Sequence, residues 1–284
     1  MDLDDGRDFM FKIILKLLFL AGLVFLLFFS LTCKKPVTTS YTDIDAIKDY
    51  INYHPDIFSA DAFDTSRAAP FFREIPGRDY WIRIDFHNPD SLHFLKSADV
   101  SWEDSIQGVF HTFISGTEYQ KRFKAFSKVQ AYFEQWGNSG DLYRGWLLMK
   151  ISNIPIYCMP FPTVGLSNLE IDTSGVSSPI SLDGLRELKK VLQLKRSNPV
   201  IFTIQVADST DLYYLHIYDE NGWSKRRFKN NGSYSFSVIW TPSSQDYNTY
   251  RHFYIDCIKS KTVADSSYST YDSRTWGIIY KVKQ

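Results

Sequence analysis

Nothing constrains this chain more than its runs of alternating apolar and polar residues. From Val200 onward, VIFTIQVAD, LYYLHIYDE, SYSFSVIWTP, RHFYIDCIKS and TWGIIYKVK follow one another with turn residues between them. A period of two sends successive side chains to opposite faces, so each run predicts a strand with an apolar face to cover. Asn221-Gly222 and Asn231-Gly232 tolerate the positive φ angles of tight hairpins. Closely spaced strands with no helix between them predict an all-β sandwich over residues 199–284.

The first half begins differently. Thr42, followed three residues later by Asp45, is a variant of the capping box, and Ile44, Ile47 and Ile51 fall on one helical face. His54-Pro55 ends that helix, because the residue before proline avoids the helical region. Ser59 is placed to cap a second short helix containing Phe63. The period then changes to two. In DYWIRIDFH, Tyr80, Ile82, Ile84 and Phe86 face one side, and Trp81, Arg83, Asp85 and His87 the other. ADVSWEDSIQGVFHTFIS reads as two strands about a turn near Gly108, and KAFSKVQAYFEQW pairs with LYRGWLLMKIS about Asn138-Ser139-Gly140. The expected fold class is thus an α+β domain over 42–152, with helices followed by a curved antiparallel sheet, and then the all-β sandwich. Pro155, Pro160, Pro162 and Pro179 mark 153–198 as a linker. Within it LRELKKVLQLKRS is compatible with a helix or a strand.

This order of one or two helices before four or five strands resembles the cone of the NTF2-like fold, and cystatin-like folds give nearly the same string. AYFEQWG…YRGWLL carries the likeness. The later strands resemble the Ig-like or fibronectin-like modules of bacterial surface proteins, with YRHFYID in the place of a penultimate strand. The Cys…Trp…Cys spacing of antibody domains is absent, so the likeness is one of architecture.

An NTF2-like cone implies a small-molecule pocket, which makes Asp85, His87, Asp99, Glu103 and His111 candidates for acid–base work. The plainer reading puts each on the solvated face of a one-sided sheet. No aspartate–tyrosine pair at an isomerase's spacing carries over. No histidine pair has a metal-ligand spacing, His87 and His93 being separated by Pro89 among others. Asp208, Asp211 and Asp219 sit at loop ends, where carboxylates serve either calcium or ordinary turns. Tyr213, Tyr214, Trp223, Tyr234 and Trp240 suit either a sugar- or protein-binding face or core and cross-strand pairs. No serine–histidine–acid set, phosphate loop or nucleotide fingerprint is present, so no cofactor is expected.

The N-terminus supplies an address. The acidic residues Asp2, Asp4, Asp5 and Asp8 do not suit a signal peptide, whereas a start at Met10 gives MFKIILK and then the apolar run Leu17–Phe29. That run is short for a bilayer span and right for a signal core. SLTC, ending at Cys33, resembles the lipobox of bacterial lipoproteins, although Ser30 and Thr32 depart from its usual leucine and small residue. The resemblance implies cleavage after residue 32, acylation of Cys33 and a polar tether over 33–41. The alternatives are an uncleaved inner-membrane signal anchor, with Lys16 snorkelling, and simple secretion. Lys34 after the cysteine lacks the aspartate-type retention signal, which by the same resemblance favours the outer membrane.

Of 284 residues, 44% are hydrophobic and 17% aromatic, enough to build real cores. The formal net charge of zero argues against a nucleic-acid partner, and Lys225-Arg226-Arg227 reads as a solvated strand edge. Besides Cys33, the cysteines Cys158 and Cys257 could pair in an oxidising compartment. The expectation is a membrane-anchored, non-catalytic module that binds or scaffolds an envelope protein or glycan. The alternative is a small-ligand receptor or enzyme using the cone, with Asp85, Asp99, Glu103 and His111 at its pocket.

Overall fold

The structure is a computed structural model that describes residues 41–60, 70–88, 94–219, 222–242, 249–266 and 270–283. The signal segment, Cys33, Phe63, His93 and Asn221 lie outside the described residues. The chain divides into two units, Met1–Thr42 and Asp43–Gln284. Of the first, Tyr41 and Thr42 are described and belong to neither helix nor strand.

The second unit opens with α1 (Asp43–Tyr53) and α2 (Pro55–Phe58). Three long strands follow, β1 (Phe71–His87), β2 (Lys96–Ile114) and β3 (Thr117–Gln135). Next come β4 (Trp146–Ser152), β5 (Ile154–Met159), β6 (Leu166–Thr173), β7 (Val176–Pro179), β8 (Leu185–Glu187) and β9 (Leu192–Lys195). The last third holds β10 (Val200–Val206), β11 (Leu212–Asp219), β12 (Gly222–Arg227), β13 (Lys229–Gly232) and β14 (Ser235–Trp240). β15 (Tyr250–Ile258), α3 (Ser260–Ala264) and β16 (Ser273–Lys283) complete it.

Strands make up 63% of the described residues and helical ones 12%, which overturns the expected α+β class for the N-terminal half. The reason is one of area. The 11-residue α1 buries Ala46, Ile47 and Ile51 against the sheet while Ile44 stays exposed, whereas the strands after it run to 17, 19 and 19 residues. The helices decorate a sheet whose size they do not determine. An all-β sandwich is compatible with what is found.

One sheet of eleven strands runs β1-β2-β3-β5-β16-β15-β11-β12, with β4 beside β3, β8 beside β4 and β9 beside β16. Its pairs are antiparallel except β9 with β16. A second antiparallel sheet has the order β13-β14-β10-β6-β7. The stretch 153–198 therefore contributes β5 through β9, and LRELKKVLQLKRS becomes β8, a 3-10 turn over Leu188–Lys190, and β9.

Two apolar clusters explain the layering. Phe202, Ile204, Phe236 and Trp240 of the smaller sheet meet Leu215, Phe253, Ile255, Trp276 and Ile278 of the larger one. The opposite faces of the same strands supply Tyr214, Tyr254, Ile258 and Ile279 to the other cluster, which joins α1, α2 and β1–β5. β11, β15 and β16 are thus covered on both sides, and that is why LYYLHIY and FYIDCI read as nearly unbroken apolar runs.

Two turns move from their expected places. Gly108 lies inside β2 opposite Phe123, and a Cβ there would come within 2.5 Å of the Phe123 ring and 2.7 Å of the Glu74 carbonyl oxygen. The hairpin turn is at Ser115-Gly116, with φ of +50° and +82°, the two positive angles a two-residue hairpin needs. In the β13–β14 hairpin the turn falls on Ser233-Tyr234, two residues past the expected Asn231-Gly232. Ser59 is the C-cap residue of α2, and the helix expected around Phe63 lies outside the described residues.

Candidate functional site: a filled sheet interior and an aromatic cleft

The larger sheet curls until Phe71 at the start of β1 meets Tyr214 of β11, with ring centroids 5.0 Å apart, across five intervening strands. Lys225 of β12 donates to the Phe71 carbonyl and lies over its ring. The space enclosed there is filled by rings. Phe71 stacks on Phe110 at 5.2 Å, and Tyr271 packs on Phe110 at 5.2 Å and on Phe123 at 4.6 Å.

Within this packing sits a charged cluster. Asp256 of β15 is wholly buried, and its carboxylate accepts from Arg73 at 2.7 Å, His216 Nε2 at 3.2 Å, Ser273 Oγ at 3.1 Å and Thr275 Oγ1 at 2.9 Å. Arg73 Nε donates to the Tyr271 hydroxyl at 2.7 Å. Burial by itself would push the Asp256 carboxyl up, but the Arg73 guanidinium and the hydrogen bond from His216 hold it well below the usual carboxylate range. Every oxygen of this carboxylate has donors, so the cluster reads as a tie between β1, β11, β15 and β16 rather than as an open reaction centre.

The candidate acid–base residues are placed elsewhere. Asp85 and Asp99 pair across β1 and β2 at the exposed end of the sheet, where Arg83 lies 2.8 Å from Asp85 and His87 2.9 Å from Asp99. Glu103 accepts from Lys128 at 2.8 Å and from Trp81 Nε1 at 2.7 Å, and the Lys128 contact in particular holds its carboxyl below the ordinary value. His111, opposite Phe72 at the other end of the strand pair, stacks on that ring at 4.1 Å and lies 2.6 Å from Glu118. The structure brings together Asp85 and Asp99; Glu103 and His111 stand apart from them and from each other.

The loop-end aspartates follow turn chemistry. Asp208 and Asp211 share Lys259 at 3.1 and 3.2 Å, and Asp208 also takes the Thr210 amide and hydroxyl. Those Thr210 bonds, with Lys259, pull its carboxyl down to about 2. Among the described residues no group of three His, Cys, Asp or Glu could hold a metal ion. Cys158 and Cys257 are both buried and free, so the disulfide weighed from sequence is not formed.

Of the aromatic residues, Tyr213, Tyr214 and Trp240 are core, while Trp223 is half-buried beside an open cleft of about 360 Å³. Pro55, Asp56 and Ser59 form one wall, and Tyr218, Trp223, Arg251, His252 and Tyr254 the other. Trp223 meets Tyr218 edge-on at 5.4 Å and Tyr254 at 5.8 Å, and the Arg251 guanidinium lies 4.9 Å over Tyr218. Gly277 of β16 makes room for this arrangement, since a Cβ there would lie 2.6 Å from the Tyr254 ring. The four-residue α2 cannot satisfy its own late carbonyls. His252 Nδ1 donates to that of Asp56 at 2.9 Å, and the Tyr254 hydroxyl donates to that of Ser59 at 3.3 Å. Full burial lowers the His252 imidazole to about 4, and its Nε2 has no hydrogen-bond partner among the described residues.

Sequence reasoning singled out Trp223 but missed His252 and Tyr254. Their signal was the alternation in RHFYIDC, which puts His252, Tyr254 and Asp256 on one face of a strand. Comparison with protein-family models, with curated proteins and with solved structures finds no match for this chain.

Proposed function

We propose that this protein is a lipid-anchored binding module of the bacterial cell envelope, tethered through Cys33, in the outer membrane, and that its partner docks in the cleft between α2 and strands β11, β12 and β15. The observation that carries the binding half is the cleft itself. The half-buried Trp223 and exposed Tyr218 present aromatic surface there beside the Arg251 guanidinium, a composition suited to recognition. The anchor half rests on the apolar run and SLTC before Cys33. Among the described residues no helix is long and apolar enough to cross a membrane. Two or three acyl chains at ~0.8 kcal/mol per buried methylene would hold such a module stably.

Both halves have a direct test. Cells fed radioactive fatty acid should label the native chain and leave Cys33→Ala unlabelled; label retained by the variant removes the anchor. A photoreactive side chain at position 218 should give cross-linked adducts in the envelope that disappear when Trp223→Ala is added. Adducts that persist in Trp223→Ala, or none at all, remove the cleft from the reading.

A further inference from the structure

We propose that the open edge of β1 pairs antiparallel with β1 of a second copy of this chain, across a two-fold axis at Ile84, joining the two larger sheets into one. None of the pairing residues lines the cleft, so this surface is separate from the ligand site. β1 stands last in its sheet, and among the described residues only β2 pairs with it. Lys225 reaches its free edge at Phe71. From Asp79 to His87, backbone N–H and C=O groups of alternate residues point outward, and no backbone group among the described residues meets them. Edges of this length are ordinarily protected by a proline, a bulge or a row of lysines. Here Pro76 and the register shift between Glu74 and Gly77 come before the open stretch. The stretch itself, DYWIRIDFH, keeps unbroken register with β2 and carries charges of both signs. On it Tyr80, Trp81 and Phe86 are 56%, 46% and 39% exposed.

Face and charge select both the partner and the register. Tyr80, Ile82, Ile84 and Phe86 share the inner face, where Tyr80 stacks on Trp102 at 4.7 Å and Phe86 meets Trp146 at 5.6 Å. Trp81, Arg83, Asp85 and His87 share the outer one. A two-fold axis normal to the sheet keeps like faces together only when it passes through a residue. At Ile82 it would set Asp79 against Asp85, at Arg83 two guanidinium groups together, and at Asp85 two carboxylates. At Trp81 it would oppose Asp79 and Arg83, but the pairing would run into Gly77 at the bulge and draw in Arg78, which donates to Ser59 at 3.0 Å. At Ile84 every pair is complementary. Arg83 meets the second copy's Asp85 on both sides of the axis, Ile82 meets Phe86, Trp81 meets His87, and Ile84 meets itself. Arg83 and Asp85, 2.8 Å apart and largely exposed within one copy, then form a network of four charges. Asp85 also lies opposite Asp99 on β2, an unfavourable like-charge pair, and the second copy's Arg83 offsets it from the open side.

The full acylated chain in detergent micelles should pass from monomer to dimer in analytical ultracentrifugation as its concentration rises. Arg83→Asp and Asp85→Arg each set like charges across the join, and each should weaken the dimer about tenfold or more. Mixed together, the two variants should associate with near-native affinity, because every facing pair is again of opposite sign. Single cysteines at positions 81 to 85 should cross-link on mild oxidation fastest as Ile84→Cys, where the two Cα atoms lie about 4.5–5.5 Å apart. The native chain, whose Cys158 and Cys257 are buried, should give no such product. Should Ile84→Cys not fold, the mixture of charge variants decides. A chain that stays monomeric at every concentration, a mixture that fails to associate, or faster cross-linking at another position overturns the pairing. In cells, a cross-link from position 84 to a different envelope protein, without the homodimer, overturns the second copy as the occupant.

Discussion

Asp256 and His252 stand four positions apart on β15, on the same face, and burial acts on them in different ways. Asp256 remains charged because Arg73, His216 and two hydroxyls surround it. Removing Arg73 alone leaves that charge buried and uncompensated, so Arg73→Met should cost about 3–5 kcal/mol in urea unfolding, whereas the double variant with Asp256→Asn should recover much of the loss. A double variant no more stable than Arg73→Met would show that the guanidinium works through its packing on Phe71, Phe110 and Tyr271 instead. His252 remains neutral, and this sets a pH window. An unfolded histidine takes its proton near 6.5, the folded one near 4, so between these values the unfolded chain binds more protons. Stability from this group is present above pH 6.5, falls as pH drops toward 4 by up to about 3 kcal/mol, and levels off below. Asp56 of α2 lies across the cleft from it, Arg251 and Tyr254 of β15 stand on its own wall, and the loss should flatten in His252→Phe. Loss of the Asp256 contribution follows separately and lower, beneath its unfolded pKa of about 3.9. Little of this was legible in the sequence. Asp85, Asp99, Glu103 and His111 drew notice as titratable residues on an alternating strand, but alternation does not say which face will be covered, and the curl of the same sheet back onto β1 covered the face of Asp256.

Strands were the legible elements and turns the less legible ones. A glycine inside a polar–apolar alternation reads as a break, and Gly108 was taken for one. Its backbone instead lets the Phe123 ring and the Glu74 carbonyl approach, close to where β1 shifts register between Glu74 and Gly77. Gly108→Ala should therefore overpack the β1–β2–β3 layer and cost about 1–3 kcal/mol. A midpoint of thermal unfolding equal to that of the native chain would mean that the Phe123 ring moves aside freely. The same substitution at Gly140, where a Cβ meets nothing within 4 Å, serves as the control. The first helix, α1, was legible through Ile47 and Ile51, yet the class it suggested failed because the strands beside it are so long. Length of a strand depends on a partner of equal length, and β2 and β3 supply one another over their whole extent.

For the molecule as a whole, the deciding feature is that β11, β15 and β16 serve two cores at once. Their alternate residues face the smaller sheet on one side and the helix-bearing cluster on the other. The sandwich-like half takes β6 and β7 from the stretch expected to be a linker, and β16 is bonded on one edge to β5. Periodicity shows that a strand has a face to cover; it does not name the strand that covers it, and here the partners lie far off in sequence. A fragment of residues 199–284 would keep β10 but lose its partner β6, and would expose the face of β15 and β16 that carries Tyr254 and Ile279. It should show no cooperative unfolding transition. Residues 43–284 should instead unfold in a single calorimetric transition, with Phe202→Ala in one core and Phe110→Ala in the other each lowering its midpoint, by losses of about 3–5 kcal/mol. Two resolved transitions, each sensitive to one of the substitutions, would show that the shared strands do not couple the halves.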